Sequence, residues 1–415
     1  MSSKKRIAIL YSENISAAAL GSTRTLLDLA NMLNIYYDIR LFSLGKTTKI
    51  AEFNNFIEET FKSTASSDSR NNKMRILDYL YLIIFGKQYS YYIMNKNKAL
   101  QKAVHDYKPD IIITLGRNLI DTVIKLNKIS PKTITISITD DFRVVENSIK
   151  IRRENLIKKN KGPLRGIKLF FFDIIRKRHI NFSLFIYQKM LKQLTATAFV
   201  TEIDRQFSIK RYPNLEKKFF VLPTASFPED KILKKPVYNT NKDVTNILFI
   251  GNCKHEPNLE AMKLIESEIA PKLKDKHFTI IGSGCEKRTI NNVEYTGFIS
   301  EEEKNERIDN ADICIAPLLN GSGIKVKILD YFARCRPVIG SNVAFEGYPI
   351  SNMKNAIIEN NISNYAKRIL ELESNPNLRE RLSSNASEVC AYFSYSHIAN
   401  SWLKVLTALD KRKQL

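Results

Sequence analysis

The segment from Gly321 to Asp330 combines glycines, lysines and an aspartate in an order that suits an anionic ligand. It follows an apolar, strand-like run, and helical spacing of apolar residues begins at about Lys325. Gly321 and Gly323 let the backbone approach a ligand closely, and the next helix offers its free N–H groups to a phosphate. Lys325 and Lys327 add positive charge, and Asp330 is placed to accept hydrogen bonds from ribose hydroxyls. These features indicate a nucleoside diphosphate site.

The same spacing has a second interpretation. A G-x-G pattern before a helix is also typical of a tight turn that leads into a solvated, lysine-rich helix face. Spacing alone favours neither interpretation.

The elements that position this segment belong to a repeating strand and helix pattern. In the first half, the predicted strands are 6–11, 38–43, 110–115, 133–138, 198–201 and 219–222. In the second half, they are 246–251, 278–282, 293–297, 313–317 and 337–340. Alternation of short apolar strands with helices predicts parallel α/β sheets, and 415 residues suffice for two Rossmann-like domains.

An aperiodic, proline-containing stretch at 227–244 is the predicted linker between the two domains. We expect an N-terminal Rossmann-like acceptor domain at 1–226, which carries a basic aromatic insert at about 150–194. The C-terminal Rossmann-like nucleotide-sugar domain is expected at 244–390. A terminal helix at 391–415 is expected to pack back on the N-terminal domain.

The composition is that of a globular protein with a large positive charge. Apolar residues make up 44% and charged residues 26%, which excludes a disordered or fibrous chain. The net charge of +22 favours anionic partners, and Lys150 to Lys192 alone holds thirteen basic residues against two acids.

That basic segment is also rich in phenylalanine and isoleucine between 164 and 194, and it has three interpretations. It can lie on an anionic membrane surface, with its cations around an apolar face. It can instead be an amphipathic helix pair that packs on the N-terminal sheet and exposes a basic face. Nucleic-acid binding is a third option, disfavoured because no recognised module accompanies the charge.

The remaining composition argues for a cytoplasmic protein without metal. The five cysteines are scattered, without a C-x-x-C pair, so neither a disulfide framework nor a zinc site is predicted. The five histidines show no metal-binding spacing. His255 follows a central strand, so it is either a donor contact or, as we favour, a solvated loop residue. We expect no secretory signal and no transmembrane helix, since the N-terminus lacks an apolar leader and the apolar runs are short.

Several blocks of the C-terminal half occur in an order that points to a known family. They are Phe249-Ile250-Gly251, Glu256-Pro257-Asn258, Ile280 to Gly284, Tyr295 to Ile299, Ala311-Asp312 with Pro317, Gly321 to Asp330, Arg336 to Ile339, and Phe345-Glu346-Gly347. With these blocks the chain resembles the retaining family 4 glycosyltransferases of GT-B fold. The likeness is dense between about Asn246 and Tyr348 and sparse in the N-terminal half.

The resemblance implies roles for individual residues. The backbone of Gly321, Ser322, Gly323 and Ile324 would hold the donor phosphates, with Lys325 and Lys327 beside the diphosphate and Asp330 on the ribose. Gly282, Gly284, Phe298 and Ile299 would border the base. Such enzymes let the leaving phosphate assist attack from the same face, so Lys327 is the expected catalytic cation and no glycosidase-like carboxylate pair is expected.

This sequence departs from the family pattern at several of these positions. The family usually has glutamate where this chain has Asp330, and a second glutamate where it has Ser322. Asn252 and Asn258 stand where many relatives have an arginine and a lysine on the pyrophosphate. Lys325 and Lys327 are the residues expected to compensate.

In the N-terminal half, Gly21, Ser22 and Arg24 match the loop that meets phosphate and acceptor in the family. Asp140, at the end of a predicted strand, is the other candidate catalytic residue. A lone aspartate there is also explained by a helix cap or a turn.

We therefore predict a retaining, metal-independent glycosyltransferase that needs no cofactor besides its nucleotide-sugar donor. The expected acceptor is a glycan, lipid-linked or part of a cell-surface polysaccharide, and the expected location is cytoplasmic, peripheral at the inner membrane face through 150–194. The alternatives are a GT-B-like protein that binds nucleotide sugar or glycan without transfer, and a nucleotide-sugar epimerase or hydrolase on the same fold.

Overall fold

The computed structural model describes residues 4–12, 21–45, 49–53, 56–63, 95–116, 118–139, 187–224, 227–232, 243–321 and 323–414, together with positions 157, 166, 169, 173 and 185. The chain divides into two compact units. The first comprises Met1–Thr224 with Ala399–Leu415, and the second comprises Ala225–Ile398.

The first unit is built on an eight-stranded sheet of order β3-β4-β2-β1-β5-β6-β7-β8. Its strands are β1 (Arg6–Tyr11), β2 (Asp38–Gly45), β3 (Lys49–Phe53), β4 (Phe56–Lys62), β5 (Ile111–Leu115), β6 (Ile134–Thr139), β7 (Ala196–Phe199) and β8 (Phe219–Val221). Its helices are α1 (Gly21–Asn34), α2 (Lys98–Tyr107), α3 (Ile120–Ile129) and α4 (Glu202–Arg211). All neighbouring strands pair in parallel except β3 and β4.

Strand β1 lies inside this sheet because its residues are apolar on both faces. Ile7 pairs with Ile39 of β2 on one side and with Ile111 of β5 on the other. Ile7, Ile9 and Leu10 are fully buried, as expected for a parallel strand covered by helices on both sides.

The hairpin of β3 and β4 was not predicted, and the reason is a buried acid. Glu58 lies in the middle of β4 with none of its surface exposed. The hydroxyl of Ser43 donates to Glu58 Oε1 at 2.5 Å, and the hydroxyl of Thr60 donates to the same oxygen at 3.1 Å. A strand that buries a hydrogen-bonded glutamate has no clear apolar alternation in its sequence.

Most of the predicted basic insert, residues 150–186, lies outside the described residues. Its C-terminal end, residues 187–193, is helical. Tyr187 and Leu191 are buried in the core of the first unit, and the Tyr187 hydroxyl donates to Thr139 Oγ1 at 3.0 Å. This end of the insert therefore packs on the sheet.

The second unit contains a seven-stranded sheet of order β11-β12-β10-β9-β13-β14-β15. Its strands are β9 (Asn246–Ile250), β10 (His277–Ile281), β11 (Arg288–Ile290), β12 (Val293–Gly297), β13 (Ile313–Ala316), β14 (Val338–Gly340) and β15 (Ile357–Ile358). Its helices are α5 (Glu256–Leu264), α6 (Glu301–Asp309), α7 (Val326–Ala333), α8 (Tyr365–Ser374) and α9 (Pro376–Ala391). Only β11 pairs antiparallel, with β12.

The predicted fold class of two parallel-sheet Rossmann-like domains is confirmed. Asp312 illustrates how the second sheet is held at its amino edge. Its Oδ2 accepts the backbone N–H groups of Thr245 and Asn246, each at 2.8 Å, which joins the start of β13 to the start of β9.

The last helix, α10 (Tyr395–Gln414), contributes residues 399–414 to the first unit. Trp402 is fully buried and donates its indole N–H to the carbonyl of Pro223 at 3.1 Å. Lys5 forms an ion pair with Asp410 at 2.6 Å. The buried Trp402 side chain and the Lys5–Asp410 ion pair therefore hold the helix on the first unit.

Across the part of the chain that the structure describes, no helix has both the length and the apolar character needed to cross a membrane.

We expect Trp402→Ala to lower the stability of the first unit by about 3–5 kcal/mol, because it leaves a large cavity and an unpaired carbonyl. Denaturant unfolding followed by circular dichroism measures the change. Lys404→Ala, an exposed position on the same helix, is the control and should stay within about 0.5 kcal/mol of wild type. Equal stability of the two variants would contradict the anchoring role.

Candidate functional site

The glycine-containing loop lies between β13 and α7, at the carboxyl edge of the second sheet. Gly321 and Gly323 have φ angles of 138° and 67°, a region that side chains rarely adopt. The loop is held on both sides, because Asn320 donates to Glu260 at 3.0 Å and the Tyr348 hydroxyl donates to the carbonyl of Lys325 at 2.9 Å. The backbone geometry needed for close approach is therefore present.

Ser322 lies outside the described residues. Ile324 is half-buried and packs against the core of the second unit. This packing anchors the end of the loop on the core of the second unit.

Lys325 and Lys327 flank the start of α7. Lys325 donates to the carbonyl of Gly323 at 2.7 Å, and its ammonium nitrogen lies 4.0 Å from a carboxylate oxygen of Glu346. Lys327 donates to Asn258 Oδ1 at 2.7 Å, and its ammonium nitrogen lies 4.2 Å from the centre of the Phe249 ring. Lys327 thus reaches across the end of β9 to the first turn of α5.

The environment of Lys327 alters its proton affinity. Its pKa is lowered to about 7 because desolvation disfavours the charged form and because Lys325 is close. The pKa of His255 is also lowered, by burial first and then by the charges of Lys327 and Lys325. An anion bound here would relieve this repulsion, since each positive group would gain a negative neighbour.

Helix α7 is fixed over the end of β9 by Tyr331. This side chain is fully buried, and its hydroxyl oxygen accepts the backbone N–H of Ile250 at 2.8 Å. This hydrogen bond fixes the position of α7 relative to the end of β9. It therefore also positions Lys327, which lies one turn earlier on the helix.

Asp330, the predicted ribose ligand, is nearly buried on α7, with 6% of its surface exposed. Its Oδ2 lies 3.6 Å from the ammonium nitrogen of Lys304 on α6. Lys304 also donates to Glu301 at 2.5 Å. Asp330 is therefore held in an ion pair, which fixes the direction of its carboxylate.

The loops after β9 and β10 meet at the same edge. A Cβ on Gly282 would stand only 2.0 Å from the carbonyl oxygen of Gly251, so this position requires glycine. Gly284 has a φ of 79°, and the N–H of Cys253 donates to the carbonyl of Ser283 at 3.0 Å. The predicted base-bordering glycines therefore belong to a tightly packed pair of loops.

The last two predicted donor residues follow β12. Phe298 is 65% exposed, and Ile299 is half-buried against the core. Since β12, β10, β9 and β13 are consecutive neighbours, the sheet brings the loops that follow them to one edge.

The N-terminal candidates belong to the first unit. Gly21 and Ser22 begin α1. The Nε atom of Arg24 lies 3.7 Å from a carboxylate oxygen of Asp28, one turn later on the helix. Asp140 lies outside the described residues. These candidates, like the assigned roles in the second unit, stay predictions.

The sequence marks Asn258 as a position beside the pyrophosphate, but it does not predict which side chains contact Lys327. Phe249 and Asn258, the two contacts of Lys327, come from β9 and α5. His255, predicted to be a solvated loop residue, is exposed in the structure, and the charges of both lysines reach it. These contacts arise because β9 and β13 are neighbours in the sheet, although they are far apart in the chain. The sequence could have indicated them only through a prediction of the strand order.

One prediction from the sequence is wrong. Cys253 and Cys285, which follow β9 and β10, form a disulfide with their Cα atoms 5.4 Å apart. They are separated by 32 positions in the chain, and they meet because their loops follow adjacent parallel strands. Cys314, Cys335 and Cys390 are buried free thiols.

Within the described ranges, no cluster of three or more histidine, cysteine or carboxylate side chains is arranged to hold a metal ion. The groups of this edge that suit an anion are backbone N–H donors and the ammonium groups of Lys325 and Lys327.

Thiol titration under denaturing conditions tests the disulfide. Without reductant, the wild-type chain should show the three free thiols, and with reductant all five cysteines. Cys253→Ser is the matched control and should show four thiols in both conditions, which is five minus one. Five thiols in the unreduced wild type would contradict the pairing.

Comparison with known proteins places this architecture. Residues 244–375 match the family model described as glycosyl transferases group 1. The match begins just before β9, ends just after α8, and includes Gly321 to Asp330. A 44.6 kDa uncharacterized protein in the cps region of Klebsiella pneumoniae is 26% identical over 156 residues, which are 34% of this chain and 40% of that protein.

Solved structures resemble the chain over nearly its whole length. A sucrose-phosphate synthase from Thermosynechococcus elongatus has a TM-score of 0.70 at 13% identity, covering 98% of this chain and 99% of its own. A glycosyltransferase from Rickettsia africae has a TM-score of 0.63 at 14% identity, covering 99% of both chains. A structure described as trehalose-6-phosphate from E. coli bound with UDP-2-fluoro glucose has a TM-score of 0.61 at 13% identity, covering 97% and 99%.

At these identities the structural likeness establishes the fold alone. The chain therefore has the GT-B fold, and within it residues 244–375 match the model of the glycosyl transferases group 1 family.

Proposed function

We propose that this protein transfers a sugar, with retention and without a metal ion, from a nucleoside-diphosphate sugar to a hydroxyl of a glycan acceptor. One observation carries the proposal. The positive-φ glycine loop, the start of α7 and the ammonium group of Lys327 gather at one sheet edge within the matched family domain.

The arrangement suits the charge that develops during transfer. As the bond between the sugar and the diphosphate lengthens, negative charge grows on the leaving phosphate oxygen. Preorganised amides and cations stabilise that charge without reorientation at the moment of reaction. Lys327 would supply the full charge, and the backbone from Gly323 to the first turn of α7 would supply N–H donors.

Retention requires that the acceptor oxygen bond to the sugar on the face from which the phosphate leaves. In this proposal the acceptor hydroxyl transfers its proton to the departing phosphate oxygen, so the products are a glycoside and a nucleoside diphosphate. A neighbour of the same fold is described in work on glycosyltransfer with retention by trehalose-6-phosphate synthase, which supports this choice.

We propose that the acceptor is lipid-linked or belongs to a cell-surface polysaccharide. The support is the curated relative, which is described by its place in a cps region. Asp330 is proposed to bind the ribose, with Lys304 orienting its carboxylate.

A second candidate is a protein that binds nucleotide sugars without transfer. Two observations favour it. Neutral Asn252 and Asn258 flank the loop after β9, and Asn258 already occupies Lys327 with a hydrogen bond. Turnover separates the candidates, because a binding protein releases no nucleoside diphosphate.

The decisive experiment measures nucleoside diphosphate release by the purified protein from a panel of nucleotide sugars, with membrane extract as the acceptor source. Wild type should release diphosphate only when extract is present. Lys327→Ala should slow release by about 100-fold or more, because a charge that stabilises the leaving group is lost.

Lys263→Ala, at an exposed position on the helix that carries Asn258, is the matched control and should keep the wild-type rate. Release at an undiminished rate by Lys327→Ala would exclude the proposed site. Tight donor binding without release would favour the second candidate, and conversion of donor without extract would indicate an epimerase or hydrolase.

The lowered pKa of Lys327 predicts a pH dependence of donor binding. The free site loses its ammonium charge as the pH rises through about 7, whereas bound diphosphate stabilises the charged form. The dissociation constant should therefore rise by up to about tenfold per pH unit above pH 7. Titration calorimetry between about pH 7 and pH 9 measures the change, and burial and the two lysines lower the pKa of His255 below its usual value.

Lys327→Met, which keeps an unbranched stem without charge, is the control for this titration. It should bind donor weakly, with an affinity that does not change with pH. A dissociation constant that is flat for wild type as well would contradict the assigned role of the lysine.

A further inference from the structure

A concentration of positive charge lies at the amino edge of the first sheet, where β6, β7 and β8 begin side by side. Four segments converge there: residues 128–133, 189–194, 210–218 and 410–414. We call this surface the basic edge. The first three segments immediately precede one of these strands, and the fourth is the end of α10.

Hydrogen bonds fasten the segments to one another. The ammonium group of Lys218 donates to the carbonyls of Lys192 and Leu194, each at 2.7 Å. Lys413 donates to the carbonyls of Pro131 and Thr133, at 2.7 and 2.5 Å. Arg412 donates to the carbonyl of Lys217 at 3.4 Å. The four segments therefore form one continuous surface.

The basic edge is nearly free of acids. Its eleven basic residues are Lys128, Lys132, Lys189, Lys192, Lys210, Arg211, Lys217, Lys218, Lys411, Arg412 and Lys413. Its two acids are Glu216 and Asp410. A carboxylate oxygen of Glu216 lies 3.7 Å from a guanidinium nitrogen of Arg205, and a carboxylate oxygen of Asp410 lies 2.6 Å from the ammonium nitrogen of Lys5. Both acids therefore face cations from outside the set, and the surface keeps a large positive excess.

Two lysines of the basic edge, Lys218 and Lys413, are half-buried. Burial lowers the pKa of Lys218 and of Lys413, and the positive charge of Lys218 lowers that of Lys413 further. A negatively charged surface placed against the basic edge would stabilise the charged form of both.

Apolar side chains are exposed next to the cations. Ile129, between Lys128 and Lys132, is 62% exposed. Phe185 is 50% exposed, and the ammonium nitrogen of Lys189 lies 4.4 Å from its ring centre. Exposed apolar groups among lysines suit a bilayer interface, where the apolar groups enter the acyl boundary and the cations meet anionic headgroups.

We propose that the basic edge docks on the surface of an anionic lipid bilayer. The proposal does not depend on sugar transfer, since docking needs neither donor nor acceptor. Docking through the amino edge leaves the opposite, carboxyl edge of the same sheet uncovered. The start of α1 with Arg24 follows β1 on that side.

Vesicle flotation with the full-length protein tests the proposal. Vesicles of phosphatidylcholine alone are compared with vesicles that contain about a quarter phosphatidylglycerol. The edge variant Lys217→Glu, Lys411→Glu, Arg412→Glu reverses three exposed charges. The control Lys263→Glu, Lys274→Glu, Lys367→Glu reverses three exposed charges of the second unit and changes the net charge equally.

Wild type should bind the anionic vesicles, bind neutral vesicles weakly, and lose binding as salt is raised. The edge variant should bind about tenfold or more weakly than wild type, and the control should stay within about threefold. Ile129→Ser should weaken vesicle binding less than the charge reversals do. Because it removes no charge, its vesicle binding should depend on salt concentration as that of wild type does.

Three results would overturn the proposal. One is the absence of wild-type binding to anionic vesicles, and another is an equal loss in the edge and control variants, which would assign binding to net charge. The third is tight binding to a single-stranded RNA homopolymer, lost in the edge variant, with no vesicle binding. Should the triple variant fail to fold, the single variants Lys132→Glu and Lys411→Glu give the same comparison.

Discussion

Strand β9 is hydrogen-bonded on both sides, to β10 and to β13, and this parallel pairing decides where the loops of the second unit meet. Parallel strands all end at the same edge, so the loops after β9, β10 and β13 converge although up to about 70 positions separate them in the chain. The approach is close enough that Gly282 has no room for a side chain beside Gly251. Tyr331 then fixes α7 over the end of β9.

The charge balance of the site follows from that packing. Lys327 is drawn in beside the Phe249 ring and Asn258, where it gains a cation–π contact and a hydrogen bond but loses part of its hydration. Neither partner carries a negative charge, so the ammonium group keeps a strong preference for an anion. Asp330 differs, since Lys304 compensates its carboxylate. The cation is thus left available to a ligand, and the acid is held in place.

Much of this arrangement follows from the sequence because its signals are local. Runs such as residues 6–11 and 246–250 are apolar on both faces, which identifies central parallel strands. The glycines before α7 are predicted from the sequence to let the backbone approach a ligand closely, and in the structure Gly321 and Gly323 have positive φ angles. The resemblance to glycosyltransferases rested on the same local blocks.

The features that escaped prediction depend on contacts between distant segments. The disulfide joins cysteines in two loops, and no spacing rule marks such a pair. The contact of Lys327 with Asn258 joins residues 69 positions apart, so the sequence showed a lysine without its partner. Strand β4 was not predicted because Glu58 interrupts its apolar pattern. The sequence does not show that this acid is buried and accepts hydrogen bonds from two hydroxyl groups. The basic edge likewise combines four short segments, and the sequence singles out only the one at 189–194, which ends the basic stretch that begins at Lys150.

The proposed function requires that the glycine loop and Lys327 bind the diphosphate of the donor. A crystal structure of the protein with a bound nucleoside diphosphate would show whether they do. We expect a phosphate oxygen within about 3 Å of the Lys327 ammonium nitrogen and of a backbone N–H in the first turn of α7. A diphosphate bound elsewhere, with Lys327 still on Asn258, would contradict this expectation.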